Sequence, residues 1–375
     1  MKFTCTRENL AYALDLVSGI TTKQNNLPIL SHILLRAEES GVEVISTNLE
    51  TVVRAHLRAK VDTVGTFTLP GKMFTDFVHL LSDEQVTLEL VGNELKINCG
   101  GSSTKIKGSP ADEYPVIPEM EEITAYAVNV LEFHDSLAKV LFATSKAEVR
   151  PELSGVCFQF GQQGKPSLVL AATDSYRLAE KTLTLLQGNE EYRCIVPGRV
   201  VAEFIRLLTL GKGKGDGEHQ VRLLIGKNNI TLRYDQFEIM SRLIDGSYPD
   251  YRQIIPNQFK TTAVLPTFLL IKSIKTASIF SSTGVNAIQM EVQASENRVK
   301  VYSTSSQSGE HESFVDGVIT GEENKTVLNF RYVLDGINQL EGDEVEFLMN
   351  SADAPCMFKT KGKDDYLYLV MPIRQ

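Results

Sequence analysis

Three times along this chain, roughly 130 residues apart, a short apolar strand stops at a turn and gives way to an amphipathic helix opened by a cation. In the middle copy Ile195 and Val196 meet Pro197-Gly198. Val201, Phe204, Ile205 and Leu208 then fall at i, i+3, i+4 and i+7, the spacing of one buried helix face, and the opposite stripe is Arg199, Ala202, Glu203 and Arg206. Upstream, Leu69-Pro70-Gly71-Lys72 leads into Phe74, Phe77, Val78 and Leu81; downstream, Leu328-Asn329-Phe330-Arg331 leads into Val333, Gly336, Ile337 and Leu340. An acid follows each cation four residues later: Asp76, Glu203 and Asp335. A repeat of this length is a domain in itself, so the 375 residues predict three similar domains rather than one core.

The first third sets the pattern. Phe3 to Cys5 reads as a strand, Arg7 to Val17 as a helix with Leu10, Ala13, Leu14 and Val17 inward, and Leu27-Pro28-Ile29-Leu30 as the opening of a set of strands. After the Lys72 helix, Val86, Leu88, Leu90 and then Leu95, Ile97, Cys99 alternate as half-buried strands do. Helices grouped on one face of antiparallel sheet, an α+β architecture, is the economical packing. The second domain predicts a helix over Leu131 to Thr144 with Phe133, Leu137, Val140 and Leu141 inward, and the third a helix around Thr267 to Ser278. Thr47-Asn48-Leu49, Thr173-Asp174-Ser175 and Thr304-Ser305-Ser306 each close a strand at the corresponding place. The proline-bearing stretches Ser109 to Pro118 and Ser247 to Pro256 lack amide hydrogens for a ladder and read as linkers, dividing the chain into 1–122, 123–255 and 256–375.

A net charge of −9 excludes a uniformly basic nucleic-acid binder but leaves room for a local basic lining on an acidic body. Five isolated cysteines without a C-x-x-C pair read as reduced, buried thiols of a cytoplasmic protein, and the six histidines have no ligand spacing, so neither metal nor cofactor is expected. The amino terminus has no signal-peptide core, and no apolar run approaches the ~20 residues of a membrane helix. The glycine-lysine run Gly211 to Gly217 lacks phosphate-loop spacing and reads as a surface loop.

A cation in the first turn of a helix opposes the backbone dipole by ~0.3–1 kcal/mol. Its recurrence fits a surface serving something other than helix stability. An i, i+4 ion pair, worth ~0.2–0.5 kcal/mol, is the plainer reading, and the sequence leaves both open. Leu178, Pro249, Ile254 and the tail Met371-Pro372-Ile373 form an apolar set, read as exposed, that fits either a partner cleft at a domain junction or interdomain core. Asp174, Tyr176 and Arg177 cluster without a histidine or nucleophile, a thin basis for a hydrolase.

Met1-Lys2-Phe3-Thr4, Leu27-Pro28-Ile29-Leu30, Ala172-Thr173-Asp174-Ser175-Tyr176-Arg177-Leu178-Ala179, Tyr248-Pro249-Asp250-Tyr251-Arg252 and Val370-Met371-Pro372-Ile373-Arg374 together carry a resemblance. End to end, the chain resembles the bacterial DNA polymerase III beta subunit family, the sliding clamps. It implies a non-catalytic head-to-tail homodimer, a ring of six domains with helices inside and sheets outside. Helices spaced ~9–10 Å apart around such a ring leave an opening of very roughly 25–30 Å, enough for duplex DNA. On this resemblance Lys72, Arg199 and Arg331 face the hole, joined by Lys23, Lys146, Arg150, Arg206, Lys212, Lys272 and Lys275. Retention is topological and sequence-independent, needing only weak phosphate attraction.

Carried over by position, the family's partner pocket falls on Leu153, Thr173, Ser175, Tyr176, Arg177, Leu178, Pro249, Gln253, Ile254, Leu369, Val370, Met371, Pro372, Ile373 and Arg374. It implies short linear peptides from the clamp loader, the DNA polymerase III alpha subunit, other polymerases and repair proteins. Ser175 and Tyr176 stand where a Gly-His pair is familiar, Gln253 where an arginine is common, and Pro355 where a serine can occur, which bears on peptide preference. Ile279 and Phe280 are implied to meet the edge strand around Ile106 of the second subunit. The alternatives are a clamp-like scaffold bound mainly to proteins and a hydrolase using Asp174 and Arg177.

Overall fold

A computed structural model describes residues 1–21, 27–82, 84–118, 123–147, 149–211, 219–282 and 284–374. Its six described helices are α1 (Arg7–Ser18), α2 (Gly71–His79), α3 (Val130–Leu141), α4 (Gly198–Gly211), α5 (Thr267–Ser278) and α6 (Phe330–Ile337), and every ladder between its strands is antiparallel. The chain packs as two compact units. No described helix is long and apolar enough to cross a membrane.

The first unit comprises Met1–His134, Leu185–Glu190 and Arg199–Leu243. One sheet runs in the order Lys60–Thr63, Lys2–Thr6, Gln85–Val91, Glu94–Cys99, Ser102–Lys107, so that Ser102–Lys107 is an edge. A second runs from Gly65–Pro70 through His32–Glu38 and Gly41–Thr47 to Thr51–Leu57. There it crosses between repeats, because Thr51–Leu57 pairs with Phe237–Arg242, which continues through Asn229–Tyr234 and Gln220–Ile225 to Thr124–Asn129.

The second unit comprises Asp135–Thr184, Glu191–Gly198 and Ile244–Gln375. It repeats the device: Tyr192–Pro197, Gly155–Phe160, Ser167–Thr173 and Arg177–Gln187 form a run joined to the third repeat where Arg177–Lys181 pairs with Tyr366–Val370. A separate four-stranded sheet ends on the edge strand Gly309–Asp316.

The helices follow their sequence logic. Thr6 caps α1 by accepting the Asn9 N–H at 3.2 Å, and Leu10, Ala13, Leu14 and Val17 are buried as the periodicity predicts. In α4 the buried face is wider than predicted: Val200 and Leu207 join Val201, Phe204 and Leu208, while Ile205 is only half-buried. Phe77 is half-buried too, as is Leu81, which lies beyond the end of α2 at His79. Gly336 in α6 lies against the Tyr368 ring, where a Cβ would have no room.

Three expectations need correction. Leu27 to Leu30 does not begin a strand: proline-fixed backbone turns Pro28–Ser31 into a 3-10 helix, and the strand starts at His32. The helix expected to reach Thr144 stops at Leu141, its end closed by Ala143 and Thr144 N–H groups donating back to Val140 and Leu141. Leu178, read as exposed, is fully buried with Leu153, Ala171, Tyr248, Tyr251 and Leu369. Of the run Gly211 to Gly217, read as a surface loop, Gly211 is the last residue of α4 and the rest lies outside the described residues.

The linkers are anchored by tyrosines. Tyr114 is buried with Leu34, Ile45, Val52 and Met240 in the first unit. In the second, Tyr248 and Tyr251 pack edge to face at 6.3 Å, and the Tyr248 hydroxyl accepts the buried Thr173 N–H at 3.0 Å. Tyr248→Phe strands that amide and should lower the unfolding free energy of the second unit by about 1–3 kcal/mol, read from its denaturant midpoint; an unchanged midpoint would show the bond to be dispensable.

Lys139 and Lys363 both hold Glu341, whose pKa falls to about 2 through their hydrogen bonds and charge. Because the folded pKa lies below the unfolded one, this contribution is whole above about pH 4.5 and fades as pH falls towards about 2. Glu341 is largely exposed, so screening keeps the effect small. Glu341→Gln should lower the melting temperature slightly at pH 6 and converge with the parent near pH 2; a constant gap across that range would count against the linkage.

Candidate functional site

The turn after Ser167–Thr173 is built by its own side chains. Asp174 Oδ1 accepts the Tyr176 and Arg177 N–H groups at 2.9 and 3.0 Å, while Thr173 Oγ1 accepts the Ser175 N–H at 3.1 Å and donates to the Arg177 carbonyl at 2.6 Å. Ser175 is left at φ 77°, where a side chain is strained, and Tyr176 projects outward with 63% of its surface exposed. The first repeat makes the same turn. Thr47 Oγ1 accepts the Leu49 N–H, Asn48 Oδ1 accepts those of Glu50 and Thr51, and Leu49 sits at φ 76°.

Arg177 fastens this turn. It donates to Asp174 Oδ2 (3.0 Å), Asp335 Oδ2 (2.6 Å) and the Phe142 carbonyl (2.8 Å), with its guanidinium 4.6 Å from the Tyr332 ring centroid and 5.3 Å from that of Phe142. Burial opposes its charge, but Tyr368, Asp335 and Asp174 outweigh that and raise its pKa. Asp174 and Arg177 are thus committed to structure, which removes the geometric basis of the hydrolase alternative.

The chain end runs beside the turn. Met371 N–H donates to the Tyr176 carbonyl and Ile373 N–H to the Val327 carbonyl, both at 2.8 Å. The tail closes a cavity of about 500 Å³ lined by Ser175, Tyr176, Val285, Asn329, Tyr332, Met371, Pro372, Ile373 and Arg374. Six of these are sequence-predicted. Thr173, Leu178, Leu369 and Val370 are buried, and Leu153 lies in the adjoining core. Pro249, Gln253 and Ile254 do not line the cavity; Gln253 instead donates to Asp250 at 2.8 Å and Ile254 is exposed. Val285, Asn329 and Tyr332 are additions. Tyr332 follows the repeated cation Arg331, but the other copies carry Met73 and Val200 there, so the repeat alone does not single it out.

The three opening cations differ. Lys72 pairs with Asp76 at 2.8 Å, the plain i, i+4 arrangement. Arg199 instead pairs with Glu50, while Glu203 holds Arg206. Arg331 lies 5.9 Å from the Phe330 ring centroid, its expected partner Asp335 being taken by Arg177. Arg206 is engaged within the chain: it donates to the Asp15 and Leu16 carbonyls at 2.9 and 2.6 Å, capping the last turn of α1, and to Glu203. Arg150 pairs with Glu152; Lys146, Lys272 and Lys275 are exposed. Lys23 and Lys212 lie outside the described residues.

At the edges, Ile106 on Ser102–Lys107 is buried, so its side chain belongs to this chain's own core. Ile279 is 69% exposed, and Phe280 stacks on His311 of the other edge strand at 5.5 Å.

Three family models match in succession: the DNA polymerase III beta subunit N-terminal domain over 1–118, central domain over 127–250 and C-terminal domain over 252–374. The chain belongs to the DNA polymerase III beta subunit family. Proteins named beta sliding clamp from Haemophilus influenzae and Vibrio cholerae are 28% and 29% identical to it, each aligned over all of both chains. Among solved structures, the DNA polymerase sliding clamp of Bacillus subtilis superposes with a TM-score of 0.92 at 25% identity, covering 100% of this chain and 99% of that one. The DNA polymerase III beta subunit of Thermotoga maritima gives 0.91 at 28% identity with the same coverage. The expected three-domain α+β clamp fold is therefore the fold of this family member.

Removing the Arg177 side chain leaves Asp174 without its guanidinium partner and the Phe142 carbonyl without its donor. Arg177→Ala should cost about 3 kcal/mol of stability, and Arg177→Lys nearly as much because an ammonium cannot fork between two carboxylates. Denaturant unfolding checks both; full stability in the lysine variant would contradict the forked role.

Proposed function

We propose that this chain is a non-catalytic DNA sliding clamp of the cytoplasm, dividing into domains 1–122, 123–255 and 256–375, two copies of which close head to tail around duplex DNA and tether polymerase. The observation that carries the reading is the threefold repeat of a cation-opened helix in a chain whose full length aligns with beta sliding clamps. Encirclement makes tight contacts unnecessary, so a net charge of −9 is compatible with DNA passage so long as the inner helices are locally basic. Lys72, Arg199 and Arg331 are the leading candidates, with Lys146, Arg150, Lys272 and Lys275 behind them. In the dimer, the Ser102–Lys107 edge of one copy meets Gly309–Asp316, Ile279 and Phe280 of the other, which satisfies the unpaired backbone of both edges.

The cavity beside Tyr176 fits a short apolar peptide from the clamp loader, the polymerase alpha subunit, other polymerases or repair proteins. Its walls offer apolar and aromatic side chains, and the energy of such an anchor concentrates in a few buried contacts. Ser175 and Tyr176 narrow it where glycine and histidine are familiar.

Loaded on circular and linear duplex, the protein should remain on circles and leave free ends; equal loss from both would refute encirclement. Glu50 neutralises Arg199, so Glu50→Gln should strengthen DNA retention at low salt severalfold and do nothing at high salt. Weaker retention would mean that Arg199 does not meet DNA. Deleting Met371 to Gln375 should weaken binding of a Leu-Phe-ended peptide at least tenfold in a fluorescence titration while leaving a folded dimer; unchanged affinity would exclude the cavity.

A further inference from the structure

A second cleft, of about 340 Å³, opens where Gly155–Phe160 pairs with Tyr192–Pro197, with Gln159 opposite Arg193 and Phe160 opposite Tyr192. Gln159, Gln162, Tyr192, Arg193 and Arg252 line it, and Glu191 stands on its wall. By strand register it lies away from the Tyr176 turn, towards the other end of the same sheet.

The two arginines are held by neutral acceptors. Arg193 Nε donates to Cys157 Sγ at 3.3 Å, and its terminal nitrogen to the Tyr248 and Pro249 carbonyls at 3.2 and 3.4 Å. Arg252 donates to Gln162 Oε1. Neither forms an ion pair with a carboxylate among the described residues, and a guanidinium has more N–H donors than either uses here. Arg252 is oriented by a chain of hydrogen bonds reaching into the protein: Gln162 donates to Gln159, which is 6% exposed and donates to the Tyr251 hydroxyl at 2.7 Å, which donates to Glu180 at 2.5 Å. Two forks with spare N–H donors in one concavity suit a planar oxyanion taken with paired hydrogen bonds, with Asp250 the carboxylate that already supports the Arg193 charge. Glu191 sets a limit, since a negative wall penalises a doubly charged phosphate more than a singly charged carboxylate.

We propose that this cleft is a carboxylate site, taking an Asp or Glu side chain of an acidic peptide segment between Arg193 and Arg252. The assignment rests on the cleft alone and stands whether or not the Tyr176 cavity takes apolar peptides.

The test uses the full-length protein and a fluorescein-labelled Gly/Ser peptide with a central Asp-Glu pair, beside the same peptide with Asn-Gln and a labelled oligo-dT. The acidic peptide should bind saturably, lose affinity with added salt, and bind at least tenfold more tightly than its amide counterpart. Arg252→Gln should remove that advantage. Arg252 is exposed and its side chain bonds Gln162 alone among the described residues, so this variant should fold; Arg193→Gln should also remove the advantage, its folding checked by its melting temperature because Arg193 holds the Tyr248 and Pro249 carbonyls. Equal affinity for acid and amide peptides, or an advantage surviving Arg252→Gln, would overturn the proposal. A preference for oligo-dT that disappears in Arg252→Gln would overturn it in favour of a phosphate site.

Discussion

Backbone pairing between strands of successive repeats is the constraint on which the rest of this structure depends. Thr51–Leu57 continues into Phe237–Arg242, and Arg177–Lys181 into Tyr366–Val370, so in each unit a sheet begun in one repeat finishes in the next. The two seams correspond in detail: the Arg242 N–H donates to the Glu50 carbonyl in one, and the Met371 N–H to the Tyr176 carbonyl in the other. Apart from the seams, Ser102–Lys107 and Gly309–Asp316 are terminal edges of two further sheets. Unpaired edges invite another chain, and the proposed head-to-tail dimer would set these two edges against each other.

The corresponding turns at the seams have been given different side chains. In the second unit the projecting residue is Tyr176, beside Tyr332 and the apolar tail, and a cavity results. In the first it is Glu50, which faces Arg199 and forms an ion pair. One scaffold thus yields an apolar pocket at one junction and a charge pair at the other, through substitutions at positions whose backbone hydrogen bonds do not change.

Much of this was legible in the sequence because it is periodic. The buried face of α1, most of that of α4, the phase of the Thr-Asx turns in the first two repeats and the span of α5 follow from apolar spacing and repeat position. What escaped depends on partners distant in sequence. Arg206 reads as a surface cation on a polar helix stripe, yet it caps α1, and its acceptors are main-chain carbonyls that carry no residue signature. Leu178 reads the same whether its strand faces solvent or core; residues distant in sequence, among them Leu153, Tyr248, Tyr251 and Leu369, bury it. The linkers look like spacers because proline cannot donate to a ladder, while Tyr114, Tyr248 and Tyr251 beside those prolines make them part of the core. Tyr332 was invisible because the other repeats place Met73 and Val200 at its position.

Closure around DNA can be tested by locking the two edges covalently. Cysteines replacing Lys105 and Glu312, joined by a short bifunctional reagent after loading onto circular duplex, should give crosslinked dimers that stay with the circle through high salt and detergent and are freed when the DNA is cut. Crosslinked dimers that wash off intact circles would contradict an encircling ring.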